Sequence, residues 1–197
     1  MRDHDIRTVL KHNLLALHKD DPDTLIVEEM GLCSASVRVD VAVINGALTG
    51  VEIKSAKDTL QRLPAQSEVY NRVFDFVHIA FSGRCPDTII EAVPDWWGLI
   101  EATYVRPGRV GLQEIRQSRR NPSIDPFSVA QMLWKNEAYD LLVEYGLSKG
   151  LASKPKRLLW EALANELPTE TLCREVRSKV KTRTGWRSDS PRILGDD

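Results

Sequence analysis

The chain is poor in cysteine: Cys33, Cys85 and Cys173 stand far apart among 197 residues, with no Cys-x-x-Cys. That odd, scattered set argues against a disulfide framework and reads as reduced thiols of a cytoplasmic protein, buried rather than reactive. His4, His12, His18 and His78 show no metal-ligand spacing and are taken as structural or surface residues. No run approaches the ~18 apolar residues of a membrane span, and no charged-then-apolar leader opens the chain. There is no internal repeat. Net charge is only -1, so attraction to a polyanion has to come from an uneven distribution of charge.

What the chain does have is a sizeable apolar fraction, 42%, beside 28% charged residues. Such a composition and length suit one domain with a real core, or a core plus an appendage. The most informative stretch is Val37 to Lys54. Two alternating runs flank Asn45-Gly46-Ala47, which is a hairpin signal. A two-residue loop would pair Asp40 with Val51 and put Glu52 among the valines. A three-residue loop pairs Ile44 with Leu48, Asp40 with Glu52 and Arg38 with Lys54, and keeps Val39, Val41, Val51 and Ile53 on the opposite face. Because a slip of one residue buries a carboxylate, the three-residue loop is expected.

Like charges directly opposite destabilise a sheet. Either Asp40 or Glu52 is protonated, or a cation lies between them, or both are solvated on an exposed face. A hard divalent cation would relieve the repulsion, and Lys54 points the same way as Glu52. Asp40 followed by Glu52-x-Lys54 resembles the PD-(D/E)XK nuclease superfamily, although Val39 stands where the name has Pro.

Residues 3 to 18 form an amphipathic helix carrying Ile6, Val9, Leu10, Leu14 and Leu17 at helical spacing. Thr24 to Val27 starts a strand that ends at Glu28-Glu29. Asp58-Thr59-Leu60-Gln61 looks like a capping box before a helix restarted by Pro64. Gln66, Tyr70 and Phe74 recur every four residues along it. Phe76 to Phe81 is a buried strand, Pro86 to Ala92 a short helix, and 97–105 with 110–115 a strand pair about Pro107-Gly108.

Gln66-x-x-x-Tyr70 is similar to the motif that follows the Lys in the RecB-like branch of that superfamily. Further stretches (Asp5-Ile6-Arg7, Arg38-Val39-Asp40, Gly50 to Ser55, Asp58-Thr59-Leu60, Arg62-Leu63, Val93 to Gly98 and Leu133 to Ala138) resemble a family of small uncharacterised bacterial proteins assigned to the same fold. The resemblance implies an α/β restriction-endonuclease-like αβββαβ core over 1–115; composition then marks a linker over 116–125, and a basic helical extension over 126–187 and a flexible tail over 188–197 are expected to follow. The resemblance also implies a metal-dependent nuclease acting on nucleic acid, DNA before RNA. Asp40 and Glu52 would ligate Mg²⁺ or Mn²⁺, with the Ile53 carbonyl and Glu29, or its neighbour Glu28, completing the shell. Lys54 would orient the attacking water, and Gln66 and Tyr70 would position the strand. A homodimer stays open. The competing expectation is a module of the same fold that binds nucleic acid or a protein without hydrolysis.

The C-terminal part supplies the charge asymmetry. Gly146 to Arg187 holds ten Lys and Arg against four Glu, a surface suited to phosphate contacts. Helices are expected over 126–145, 156–166 and 169–182, with their leucines and tryptophans as core.

Overall fold

A computed structural model describes residues 1–33, 36–83 and 86–183. Cys85, Arg187 and the expected tail from Ser188 to Asp197 lie outside the described residues. The fold is a mixed α/β arrangement around a six-stranded sheet of spatial order β1-β2-β3-β4-β5-β6. Helix α1 (Asp3–Leu17) comes first, followed by β1 (Leu25–Leu32), β2 (Val37–Ile44) and β3 (Leu48–Lys54). Then come α2 (Leu63–Val73), β4 (Phe76–Phe81), α3 (Pro86–Ala92), β5 (Gly98–Arg106) and β6 (Arg109–Arg116). Four helices close the described chain: α4 (Pro126–Ala130), α5 (Lys135–Glu144), α6 (Lys156–Glu166) and α7 (Thr169–Lys181). Strands β3, β4 and β5 run parallel, and the remaining neighbours are antiparallel.

The hairpin loop is Asn45 to Ala47. Ile44 pairs with Leu48 and Val41 with Val51, and the Asn45 carboxamide oxygen accepts from the Ala47 N–H at 3.0 Å. The β2–β3 ladder stops at Val41–Val51. Asp40–Glu52 and Arg38–Lys54, expected as direct pairs, lie beyond the point where the strands part. Gly50 sits mid-strand because no side chain fits there: a Cβ would come within 2.7 Å of the buried Phe74 ring. Gly50→Ala is therefore expected to cost about 1–3 kcal/mol of stability through overpacking, read as a lower urea midpoint at unchanged slope; an unchanged midpoint would show that the ring moves freely.

Two apolar clusters sandwich the sheet. Ile6 and Leu10 of α1 cover Ile26, Val41, Val43, Val51 and Ile53 on one face. On the other, Val39, Ala42, Ile44 and Leu48 pack with Tyr70 of α2, with Phe74 just beyond its end, and with Leu141, Leu163 and Val176 of the C-terminal helices. Val39 was expected on the face of Val41 but joins Met30 on the opposite one. The cause is Glu29, whose φ of 52° is left-handed. That turn breaks the alternation of β1, and the break carries over to β2.

Three other expectations change. Strand β1 does not end at Glu28-Glu29 but runs on to Leu32. Residues 58–62 are not helical: the Asp58 carboxylate accepts from the Ser55 N–H at 2.7 Å, so it braces the turn after β3 instead of capping α2. The helix expected over 126–145 is two helices, because Trp134 leaves helical geometry (ψ 162°) and its N–H donates to Glu137 Oε2 at 2.7 Å, starting α5 afresh.

Segment 117–125 lies between β6 and α4 and is tied down along its length. Asn121 is buried, its amide donating to the Asn71 and Phe74 carbonyls at 2.8 Å each. Of the cysteines, Cys173 is buried and its thiol is pushed up to about 11 by burial and by Asp75. Cys33 is half-buried, and burial raises its thiol too.

Candidate functional site

The parting of β2 and β3 opens a cleft of about 490 Å³, walled by Asp40, Glu52, Ile53, Lys54, Glu29 and Gln66 among others. Glu52 and Lys54 lie on the face of β3 towards α2, and both are almost wholly buried. Glu52 is thus no solvated surface acid. Its Oε1 accepts from Lys54 Nζ at 2.6 Å and from Gln66 Nε2 at 2.6 Å. Lys54 Nζ also donates to Gln66 Oε1 at 3.1 Å. Tyr70, one helical turn beyond Gln66, places its hydroxyl 2.6 Å from Glu52 Oε2 and 2.8 Å from the Arg38 carbonyl. Gln66 and Tyr70 therefore both reach the carboxylate, as their spacing of four on one helix face allows.

The phenol holds one proton for two acceptors. That proton is shared between Glu52 Oε2 and the Arg38 carbonyl, both of which accept from the hydroxyl. Burial, then the neighbouring Asp40, raise the Glu52 pKa against the opposing pull of Lys54 and Tyr70. Burial and Glu52 in turn push the Tyr70 phenol up, so that it stays protonated.

Asp40 stands at the mouth of the gap. Its Oδ2 accepts from the Ile53 N–H at 2.7 Å and its Oδ1 from Arg7 Nη2 at 2.8 Å. Since the N–H and C=O of an extended residue point to the same side, the Ile53 carbonyl opens into this gap as well. Arg7, on α1, gathers three acids: Nε lies 3.1 Å from Asp3 Oδ1 and Nη1 lies 3.1 Å from Glu29 Oε1, besides the Asp40 contact. Burial opposes its charge, but Asp3 and Asp40 outweigh that and raise its pKa. Glu28 faces away from the cleft, with its Oε2 at 2.9 Å from Lys11 Nζ on α1. Of the two adjacent acids, Glu29 is the one brought to Asp40.

Arg7 is the residue that motif reading missed. A signal existed: Arg7 and Lys11 are spaced by four beside the apolar stripe of α1, and Glu28-Glu29 offers two acids on the next element. Asp40 and Glu52 supply hard oxygen donors of the kind Mg²⁺ takes, one or two carboxylates with the remainder left to water and phosphate. Each already faces a protein cation, Arg7 or Lys54. Among the described residues no group of three or more His, Cys, Asp or Glu is close enough to hold a metal ion.

The C-terminal cations are largely engaged within the fold. Arg177 Nη1 lies 3.1 Å from the buried Asp75, Lys179 Nζ 2.6 Å from Glu144, Lys181 Nζ 2.5 Å from Asp23 and Arg183 Nη2 2.6 Å from Glu137. Lys156 sits over the Trp160 ring at 5.0 Å. Much of the basic excess of this segment therefore answers acids elsewhere in the chain. Among the described residues no helix is long and apolar enough to cross a membrane.

With this geometry in view, the relatives become informative. A family model described as Bacteriophage P4 protein cII matches residues 3–191, and the chain belongs to that family. Protein cII of Enterobacteria phage P4 is 29% identical over 161 residues, which are 82% of this chain and 60% of the phage protein. The chain thus spans about 60% of the length of that curated relative. A solved structure of a protein of unknown function from Silicibacter pomeroyi aligns with a TM-score of 0.43 at 20% identity, over 76% of this chain and 93% of that one.

The match corrects the family reading. The chain belongs with phage P4 protein cII, not with the uncharacterised bacterial PD-(D/E)XK family that its motifs resemble, nor with the RecB-like branch. The reason lies in the motifs. Glu-x-Lys and Gln-x-x-x-Tyr each fix only two residues; a chain with this many charged residues yields Glu-x-Lys by chance, and a single Gln-x-x-x-Tyr match is weak as well. The similarity that spans residues 3–191 outweighs them.

Proposed function

We propose that the cleft between β2 and β3 is a divalent-metal-dependent phosphodiesterase site acting on nucleic acid, DNA before RNA, on an αβββαβ core of the restriction-endonuclease type. The observation that carries this reading is the convergence of Asp40, Glu52, Lys54 and Gln66 on one cleft, with Tyr70 bonded to Glu52 behind them. Asp40, Glu52 and the Ile53 carbonyl would hold the ion. Mg²⁺ or Mn²⁺ supplies Lewis-acid stabilisation of charge developing on a phosphoryl group.

The chain's own groups do the remainder. Lys54 is a fixed cation beside Glu52, placed to neutralise a phosphate oxygen and to orient a water. Gln66 holds Lys54 and Glu52 in register, and Tyr70 anchors Glu52 to β2 through the Arg38 carbonyl. Arg38 and Arg62 line the mouth of the cleft, where phosphates of a strand would pass.

One observation favours a second reading, a nucleic-acid-binding or protein-binding module without hydrolysis: both carboxylates already have protein cations against them. A cleavage assay separates the two. Single-stranded, nicked and duplex DNA, and RNA, are incubated with the protein in Mg²⁺, Mn²⁺ or EDTA. Cleavage of any of these that stops in EDTA is the expected result; no cleavage of all four in either metal makes the binding module the better account.

A further inference from the structure

Neither ladder provides a partner for Asp40. The β1–β2 register runs from Glu28–Val41 to Met30–Val39 and skips the pair between them, Glu29 with Asp40. The β2–β3 register ends one residue earlier, at Val41–Val51. A strand residue without ladder bonds is free to turn, yet Asp40 has to present its carboxylate at a fixed place. Arg7 takes over that task. Its Nη1 donates to the Asp40 backbone carbonyl at 3.1 Å and its Nη2 to Asp40 Oδ1 at 2.8 Å. One planar fork thus grips the main chain and the side chain of the same residue, which an ammonium on a flexible stem does not do. The Ile53 N–H holds the other carboxylate oxygen.

The clamp is itself braced. Asp3, one turn earlier on α1, fixes Nε, and Glu29 fixes Nη1. Glu29 does so from a left-handed backbone (φ 52°) in the middle of a strand, a conformation that costs a non-glycine residue energy and persists where the surroundings demand it.

We propose that Arg7 is a positioning residue for Asp40: it fixes the carboxylate for a divalent cation by substituting for the ladder bonds that β2 lacks there. The assignment rests on the metal-dependent reading above. Arg7 does not line the cleft and touches the ion only through Asp40. The sign of its effect separates positioning from simple charge competition. A competing cation, once removed, strengthens metal binding; a removed clamp weakens it, by the tenfold to hundredfold typical of groups that orient a ligand.

The test is Mn²⁺ affinity, measured by calorimetry or electron paramagnetic resonance on the full chain. The variants are Arg7→Lys, which keeps the charge and loses the fork, and Arg7→Gln, which loses both. Melting temperatures show whether each is folded. The expected result is weaker Mn²⁺ binding in both variants by about tenfold or more, with no rescue by Lys. Full rescue by Lys, unchanged affinity in the folded variants, or tighter binding by Arg7→Gln overturns the proposal and leaves the metal site standing. Wild type that binds no Mn²⁺ overturns the metal-dependent reading and the positioning role with it. If the Arg7 variants do not fold, Asp3→Asn loosens the same clamp from its exposed end: a fewfold loss of affinity supports the role, and no change overturns it.

Discussion

Asp40→Asn and Glu52→Gln are each expected to reduce divalent-dependent cleavage by at least about a hundredfold while leaving the fold intact. Both exchanges keep an acceptor where the carboxylate stood, so the Ile53 N–H or Arg7 retains a partner at position 40, and Lys54 and Tyr70 retain theirs at position 52. What is lost is the charge that holds the ion. Nucleic-acid binding is expected to persist or to strengthen, because one negative charge near the phosphates has gone. Cleavage rates beside binding isotherms, taken on the same preparations, read the two effects separately. An Asp40→Asn protein that cuts at the wild-type rate would place the chemistry elsewhere. Equal loss of cleavage and of binding would mean that the substitution had damaged the cleft as a whole.

Asp75→Ala is expected to be strongly destabilising, at about 3–5 kcal/mol. Asp75 is almost fully buried between α2 and β4. Its Oδ2 accepts from the Leu48 N–H at 2.8 Å and from Arg177 Nη1 at 3.1 Å, and its Oδ1 lies 3.4 Å from Arg120 Nη2. Its backbone donates to the Leu48 carbonyl at 2.9 Å and accepts from the Asn121 N–H at 2.8 Å. One carboxylate thus joins the start of β3, the 117–125 segment and α7. Removing it strands the mostly buried Arg177 guanidinium without its counter-charge. For a chain of this size the loss corresponds to a fall of about 6–20 °C in melting temperature. Asp75→Asn, which keeps an acceptor for Leu48, is expected to fall less. A shift of under about 2 °C for Asp75→Ala would show that α7 is not held through this contact.

Much of the frame was legible because its signals are local. The Asn45-Gly46-Ala47 loop announced the register of β2 and β3 as far as Val41–Val51, although the premise that this register spares a carboxylate from burial fails at Glu52, which is buried. Phe76–Phe81 coincides with the apolar run that announced it, and Pro86–Ala92 is the short helix expected there. What depends on distant partners was not legible. Arg7 meets Asp40 across 33 residues of chain because α1 crosses the sheet there. The break in alternation at Glu29 stems from one left-handed residue, which a period of two does not foretell. The cations of α7 looked like a surface for phosphate, whereas Arg177 and Lys181 answer Asp75 and Asp23 far upstream. The family was misread for the opposite reason: Glu52-x-Lys54 and Gln66-x-x-x-Tyr70 are local patterns, and membership is a property of the whole chain.

The site shows the same division. That Glu52, Lys54, Gln66 and Tyr70 share a neighbourhood followed from strand period and helical spacing, whereas Asp40 lines the same cleft without the direct pairing to Glu52 that the period implied. That every one of them is already bonded did not, since it depends on how far β2 and β3 part after Val41–Val51. Whether the cleft holds a metal ion is the point on which the functional reading turns. Anomalous diffraction from crystals soaked in Mn²⁺ addresses it directly. The account predicts a peak in the gap between β2 and β3, roughly 2.1 Å from oxygens of both Asp40 and Glu52. No peak there at saturating Mn²⁺, with Arg7 still on Asp40 and Lys54 still on Glu52, would contradict it.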